Sequence, residues 1–118
     1  MPLRCLIVDD NAAFLRVARA LLEREGVTVV GVASNGSDAV RQATEFQPDV
    51  VLVDIALGPE SGFDVARELA RDGAGGSAVI LISTHAEADF AELIDDAPVA
   101  GFVAKSDLST EEIRRLVG

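Results

Sequence analysis

The sequence predicts a doubly wound α/β fold, a five-stranded parallel sheet with five flanking helices. Three observations predict it. Short apolar runs alternate with segments of helical spacing along the whole of the 118 residues. The first, third and fourth runs read as continuously apolar, as in strands buried on both faces. Capping or stop residues separate most runs from the segments that follow.

The first strand is predicted over residues 3–8. Residues 11–25 place Phe14, Ala18, Leu21 and Leu22 at helical spacing, and Gly26 ends that helix. The β-branched run 27–32 is the second strand. Asn35 to Asp38 opens a second helix, in which Ala39, Val40 and Ala43 share a face and Pro48 marks the exit. Residues 50–53 are the third strand, and Ser61, Gly62, Phe63 and Asp64 start a third helix ending near Asp72. Gly73, Ala74, Gly75 and Gly76 form a flexible connection to the fourth strand, 78–82. Thr84 and Glu87 have capping-box spacing ahead of an apolar face of Phe90, Leu93 and Ile94. Residues 100–104 are the fifth strand. Ser109 and Glu112 repeat the capping-box spacing before Ile113, Leu116 and Val117.

Composition narrows the function classes. With 49% apolar residues and no linker or repeat, residues 1–118 are expected to form a single domain. The uncharged apolar runs fall far short of the roughly 20 residues that span a bilayer. The N-terminus lacks a signal-peptide pattern, and the single cysteine, Cys5, reads as a small buried hydrophobe. A cytoplasmic protein with no membrane partner is expected. A formal net charge of −10, without a basic cluster, argues against nucleic-acid binding by this chain alone.

Ligands of open parallel sheets bind beyond the carboxyl ends of the strands. Here those ends carry Asp9 and Asp10, then Asp54, then Ser83 and Thr84, then Lys105. Three neighbouring carboxylates cannot all stay ionised against one ammonium. A divalent cation resolves the imbalance. The donors are hard oxygens, which suits Mg²⁺, and no second His or Cys argues for zinc. A carboxylate nucleophile beside such an ion suits phosphoryl transfer through an aspartyl-phosphate, with Ser83 and Lys105 holding phosphoryl oxygens.

In this order and on these elements, the residues resemble the receiver domain of bacterial two-component response regulators. The match covers essentially the whole chain. It comprises Asp9 and Asp10 after the first strand, Asp54 after 50–53, Gly62 eight residues later, Ser83 after 80–82, and Lys105 closing 101–105, 22 positions beyond Ser83. The resemblance implies a flavodoxin-like strand order 2-1-3-4-5. It implies that a sensor histidine kinase presents a phosphohistidine from which Asp54 takes the phosphoryl group. Asp9, Asp10, Asp54 and the Ala56 backbone carbonyl would ligate Mg²⁺. Lys105 would pair with Asp54 and then with the phosphoryl group. Ser83 would move toward a phosphoryl oxygen and open space for Phe102 to turn inward. Asn11, Ala56 and His85 fall at the site rim. The fourth helix, fifth strand and fifth helix would form the readout face and a candidate homodimer surface.

Three positions depart from the common pattern of that family. Phe102 keeps the ring of the frequent Tyr without its hydroxyl. Ser106 replaces a frequent Pro, so a cis bond after Lys105 is not expected. Gly58 replaces another Pro, which predicts a looser loop after the acceptor.

Blander readings compete. Asp9 and Asp10 also suit a helix start. Ser83 also suits a cap of the fourth helix, a role for which Thr84 has the better spacing. Lys105 reads otherwise as a surface lysine, and His85 as a solvated loop histidine. Glu87, Asp89, Glu92, Asp95 and Asp96 read as a solvated acidic face, or as a dock for a basic partner. The rival functions are the receiver half of a DNA-binding transcriptional regulator with a helix-turn-helix output, and a phosphorylation-independent scaffold. The intact set of Asp9, Asp10, Asp54, Ser83 and Lys105 argues against the scaffold. A flavodoxin needs a hydroxyl-rich phosphate loop where Asp9, Asp10 and Asn11 stand. A haloacid-dehalogenase-type phosphatase needs an acid where Ala56 stands. Apart from slow self-dephosphorylation, no enzyme activity is expected.

Overall fold

The most apolar runs take the centre of the sheet. A computed structural model describes residues 2–72, 76–85 and 87–117. In it β1 (Arg4–Val8), β3 (Val50–Asp54) and β6 (Ala78–Ser83) are flanked by β2 (Thr28–Ala33) and β7 (Gly101–Ala104). All five are parallel, in the order β2-β1-β3-β6-β7. This is the predicted 2-1-3-4-5 order of the five principal strands. Every residue of β3 is buried, whereas the edge strands carry half-buried positions.

Alternate strand residues face opposite layers. Ile7, Leu52 and Ile80 pack under α1 (Ala12–Arg24) and α5 (Thr110–Val117), through Ala18, Leu22 and Ile113. Leu6, Val51 and Leu81 pack under α2 (Gly36–Phe46) and α3 (Gly62–Asp72), through Ala39, Ala43 and Leu69. Local bonds start the helices where the sequence predicts. Asn11 Oδ1 accepts the Phe14 N–H at 3.1 Å and Asn35 Oδ1 accepts the Asp38 N–H at 2.9 Å. Ser109 Oγ accepts the Glu112 N–H at 3.1 Å, half of the predicted capping box. The Glu112 carboxylate itself turns to Arg115, 2.7 Å away.

Two expectations are corrected. The strict alternation is broken by an antiparallel hairpin, β4 (Ala56–Leu57) with β5 (Glu60–Ser61). Gly58 has φ 61°, and Pro59 follows with its ring-fixed negative φ, which suits a tight two-residue hairpin turn. The loop after Asp54 is therefore tied into a hairpin, not loosened by Gly58. The fourth helix is also shorter than its pattern. A 3₁₀ turn, Glu87–Phe90, precedes α4 (Ala91–Asp95), which has no side-chain cap. Phe90 and Ile94 reach the core, but Leu93 is 50% exposed. A 3₁₀ turn advances roughly 120° per residue against roughly 100° in an α-helix, which rotates Leu93 off the predicted face. The connection at Gly73, Ala74 and Gly75 lies outside the described residues. So do Ala86 and the Glu87 side chain of the predicted capping box.

No peptide bond among the described residues is cis, as Ser106 predicts. Among them, no helix is long and apolar enough to cross a membrane.

One bond ties the two helices of the α1/α5 layer. Glu25 Oε1 accepts the Thr110 N–H at 2.9 Å, capping α5 from the end of α1. The hydrogen bond from the Thr110 N–H lowers the Glu25 pKa from 4.5. A depressed carboxyl pKa adds stability above the unfolded-state value and loses it as pH falls through the folded-state value. Glu25→Ala should therefore unfold at lower urea at neutral pH, with the gap to the unsubstituted chain closing below pH 4.5. Urea titrations followed by circular dichroism across that range check this. A gap that persists unchanged in acid contradicts it.

Candidate functional site

The carboxyl ends of β1, β3, β6 and β7 meet at one edge. Asp9 follows β1 and is held by its N–H bond to Ala33 O at 2.9 Å. Its side chain is fully buried. Oδ1 accepts the Asn11 N–H at 2.9 Å. Oδ2 has no hydrogen bond of ordinary geometry and lies 2.6 Å from Lys105 Nζ in an ion pair. Asp54 ends β3 and is 6% exposed. Its Oδ1 accepts the Ala56 N–H at 3.1 Å and its Oδ2 accepts from Lys105 Nζ at 3.1 Å. Asp10 stands exposed beside them. Ligand oxygens of Asp9, Asp10 and Asp54 all lie within 4.8 Å of one another. The Lys105 side chain, 13% exposed, is the single lysine of the sequence and opens the short turn after β7.

The electrostatics follow from burial and crowding. Burial raises the Asp54 pKa above 3.8, and the charge of Asp9 adds to the rise. The Ala56 N–H and Lys105 oppose it without cancelling it. For Lys105, burial lowers the pKa, but its bonds to Asp9 and Asp54 outweigh burial and leave it above 10.5. The lysine is thus a fixed positive charge, one for three carboxylates.

The hairpin shapes the rest of the rim. Gly62 N–H donates to Ile55 O at 2.7 Å. A Cβ on Gly62 would stand 2.7 Å from Ile55 Cα and collide with the Asp54 carbonyl, so only glycine permits this approach to the end of β3. In an antiparallel pair, hydrogen-bonded and non-hydrogen-bonded positions alternate. Ile55 and Gly62 are bonded, so the next pair, Ala56 and Ser61, falls at a non-bonded position. The Ala56 carbonyl is left unspent by the hairpin. Gly58 lies against Asp10, where a Cβ would be 3.4 Å from Asp10 Oδ2.

The other predicted residues fall as follows. Ser83 ends β6, buried, beside Ala104 of β7. Its Oγ accepts the His85 N–H at 3.0 Å, so Ser83 takes the local turn bond itself. His85 is exposed, with its ring edge-on to Phe90 at 6.0 Å. Phe102 is 8% exposed on β7 within the α2/α3 core. Its pairing with Leu81 puts both residues on the same face of the sheet. Two residues of the site were not anticipated. Phe14 puts its ring under Lys105 Nζ, 4.3 Å from the ring centroid. Glu60 Oε1 accepts the Gly36 N–H at 3.0 Å, tying the hairpin to the start of α2. The sequence held a signal only for Phe14, three residues after the helix-capping Asn11.

A divalent cation suits these residues. The donors are all oxygens, the buried Asp9 Oδ2 has Lys105 as its ion-pair partner, and that one ammonium faces three carboxylates.

Residues 5–117 match the family described as the response regulator receiver domain. The chain belongs to that family. Protein-glutamate methylesterase/protein-glutamine glutaminase 5 of Myxococcus xanthus (strain DK1622) is 36% identical over 119 residues, covering 99% of this chain and 34% of that protein. Nitrate/nitrite response regulator protein NarP of Escherichia coli (strain K12) is 36% identical over 105 residues, covering 88% of this chain and 48% of that protein. A two-component response regulator of the LuxR family from Aurantimonas sp. SI85-9A1 has a crystal structure with a TM-score of 0.84. It is 28% identical, covering 97% of this receiver and 81% of that chain. The receiver spans about a third to a half of the length of such curated relatives.

The raised Asp54 pKa carries a stability cost. A carboxyl whose folded-state pKa is raised stabilises fully below its unfolded-state value, and loses that contribution as pH rises through the folded-state value. In metal-free buffer, Asp54→Asn should therefore melt higher than the unsubstituted receiver at neutral pH. The gain should fade in acid as Asp54 takes up its proton. Calorimetry in EDTA at several pH values measures it. A lower melting temperature at neutral pH refutes this account of the site.

Proposed function

We propose that this receiver is a phosphoacceptor in two-component signalling, with Asp54 as the residue phosphorylated. One observation carries the reading: Lys105 bridges Asp9 and Asp54 within a cluster of three carboxylates at the carboxyl edge of the sheet. The donor is a phosphohistidine of a sensor histidine kinase. An ionised Asp54 oxygen attacks phosphorus, the P–N bond breaks, and its electron pair returns to the imidazole nitrogen, which takes up a proton. Asp9, Asp10, Asp54 and the Ala56 carbonyl would hold Mg²⁺, which would supply positive charge against the carboxylates and the phosphoryl group.

The protein groups position and stabilise. Lys105 starts on Asp54 and moves its hydrogen bond to a phosphoryl oxygen as charge develops there. Ser83 donates its hydroxyl proton to a second oxygen. That step keeps the local bond, because Oγ accepts from His85 while O–H donates. Gly62 and the hairpin hold the Ala56 carbonyl near the acceptor. Asn11 and His85 border the site, and release of the phosphoryl group to water is slow self-dephosphorylation, not turnover of an external substrate.

The switch then runs from Ser83 to the face of α4, β7 and α5. Because Phe102 is already buried, the output begins with a shift of Ser83 and its His85 turn, and Phe102 follows by repacking. That face is also the proposed homodimer surface. The reading places the receiver in the cytoplasm, with no nucleic acid or membrane bound by this chain itself. Relatives named as a putative transcriptional regulator and as a nitrate/nitrite response regulator favour a second form of output, in which the receiver controls a transcriptional domain.

Incubation with phosphoramidate and Mg²⁺ should add one phosphoryl group per chain by intact-mass spectrometry. EDTA and Asp54→Asn should each abolish it. Undiminished labelling of Asp54→Asn would sink the acceptor assignment. Beryllofluoride with Mg²⁺ should move the receiver to an earlier size-exclusion volume, and an unmoved peak rules out phosphorylation-driven dimerisation.

A further inference from the structure

The Phe14 ring belongs to a closed circuit of contacts around the carboxylates. Asp9 Oδ1 accepts the Asn11 N–H at 2.9 Å, and Asn11 Oδ1 accepts the Phe14 N–H at 3.1 Å. The Phe14 ring centroid lies 4.3 Å from Lys105 Nζ. Nζ returns to Asp9 Oδ2 at 2.6 Å and to Asp54 Oδ2 at 3.1 Å. The turn that sets Asp9 therefore also sets the ring beneath the lysine.

A plain core role accounts for part of this. Phe14 is half-buried and packs at the margin of the α1/α5 layer, where helical spacing puts it. That role does not require an ammonium against the ring, well inside the roughly 6 Å at which a ring face attracts a cation. The electrostatic need is specific. Lys105 requires a partner that holds its head in place, yet a fourth carboxylate would worsen the imbalance and compete for a metal. A ring face attracts the ammonium without adding charge and without accepting any of its three N–H groups.

We propose that Phe14 is a positioning residue for phosphorylation, its ring holding Lys105 Nζ over Asp54 while leaving the N–H groups to carboxylate and phosphoryl oxygens. The proposal rests on the reading of Asp54 as acceptor and Lys105 as its phosphoryl-binding partner. It separates Phe14 from the rest of the α1 face, where Ala18 and Leu22 do only packing.

The test weakens the ring's negative face with little change of shape. Phe14 is replaced by phenylalanines bearing one, two and three ring fluorines, alongside Phe14→Tyr and Phe14→Leu. The rate of Asp54 labelling by phosphoramidate in Mg²⁺ is followed by quenched intact-mass analysis, since the chain has no Trp to report it. Rates should fall stepwise with fluorine number, reaching a loss of about threefold to thirtyfold. Phe14→Leu should match the slow end and Phe14→Tyr should keep the parent rate. Lys105 is the only lysine, so isotope labelling of lysine Cε gives one NMR signal. Its Hε protons should lose their ring-current shift in Phe14→Leu.

Equal labelling rates across the fluorinated series overturn the proposal, as does a slowing that tracks melting temperature and not fluorine number. Unshifted Lys105 Hε protons in Phe14→Leu overturn the contact itself. Asp54→Asn run in parallel separates these results from failure of the acceptor assignment. If that variant still takes label, the assignment falls; if it stays unlabelled while the series is flat, only the role of Phe14 falls.

Discussion

Three carboxylates share one ammonium at the carboxyl edge of the sheet, and the arrangement of the receiver follows from that shortage of positive charge. Asp9 has no access to water, and Asp54 has little. Their compensation comes from fixed groups, namely the Asn11 and Ala56 N–H bonds and the head of Lys105. A buried ion pair of this kind is weak evidence for stability, because desolvation offsets much of the attraction. Its value here is in location. The central strands are apolar along their length and polar only at their ends, so the charge is confined to one edge while the core stays dry.

The segment after Asp54 is as constrained as Asp54 itself. Gly62 lets the start of α3 lie against the Asp54 backbone, and the hairpin between them has only two residues in its turn. The register of that hairpin leaves the Ala56 carbonyl free of ladder bonds. A backbone oxygen freed by register does not depend on side-chain identity. This edge is thus shaped as much by backbone placement as by the acidic residues.

Much of this was legible in the sequence, for identifiable reasons. The central strands announce themselves because burial on both faces demands unbroken apolar runs, as at Val50 to Val53. Asn11, Asn35 and Ser109 mark helix starts through local bonds that depend on only three following residues. Asp9, Asp10, Asp54, Ser83 and Lys105 were legible as a set because parallel strands deliver their carboxyl ends to one edge. The failures share a cause. The hairpin and the 3₁₀ entry to α4 both depend on what packs across the gap, not on neighbours in the chain. Phe14 read as core because helical periodicity does not distinguish a ring that meets a side chain from one that meets an ammonium.

The bond between Glu60 and the Gly36 N–H reaches beyond chemistry into how the sequence can drift. A Cβ on residue 36 would stand 2.7 Å from Glu60 Oε2 and 2.9 Å from Val65 Cγ2. A side chain at 36 would therefore have to displace the Glu60 carboxylate and Val65, so substitution at 36 is open only where both give way. The start of α2 and the hairpin beside Asp54 are thus joined by one contact, although 24 positions separate them in the chain.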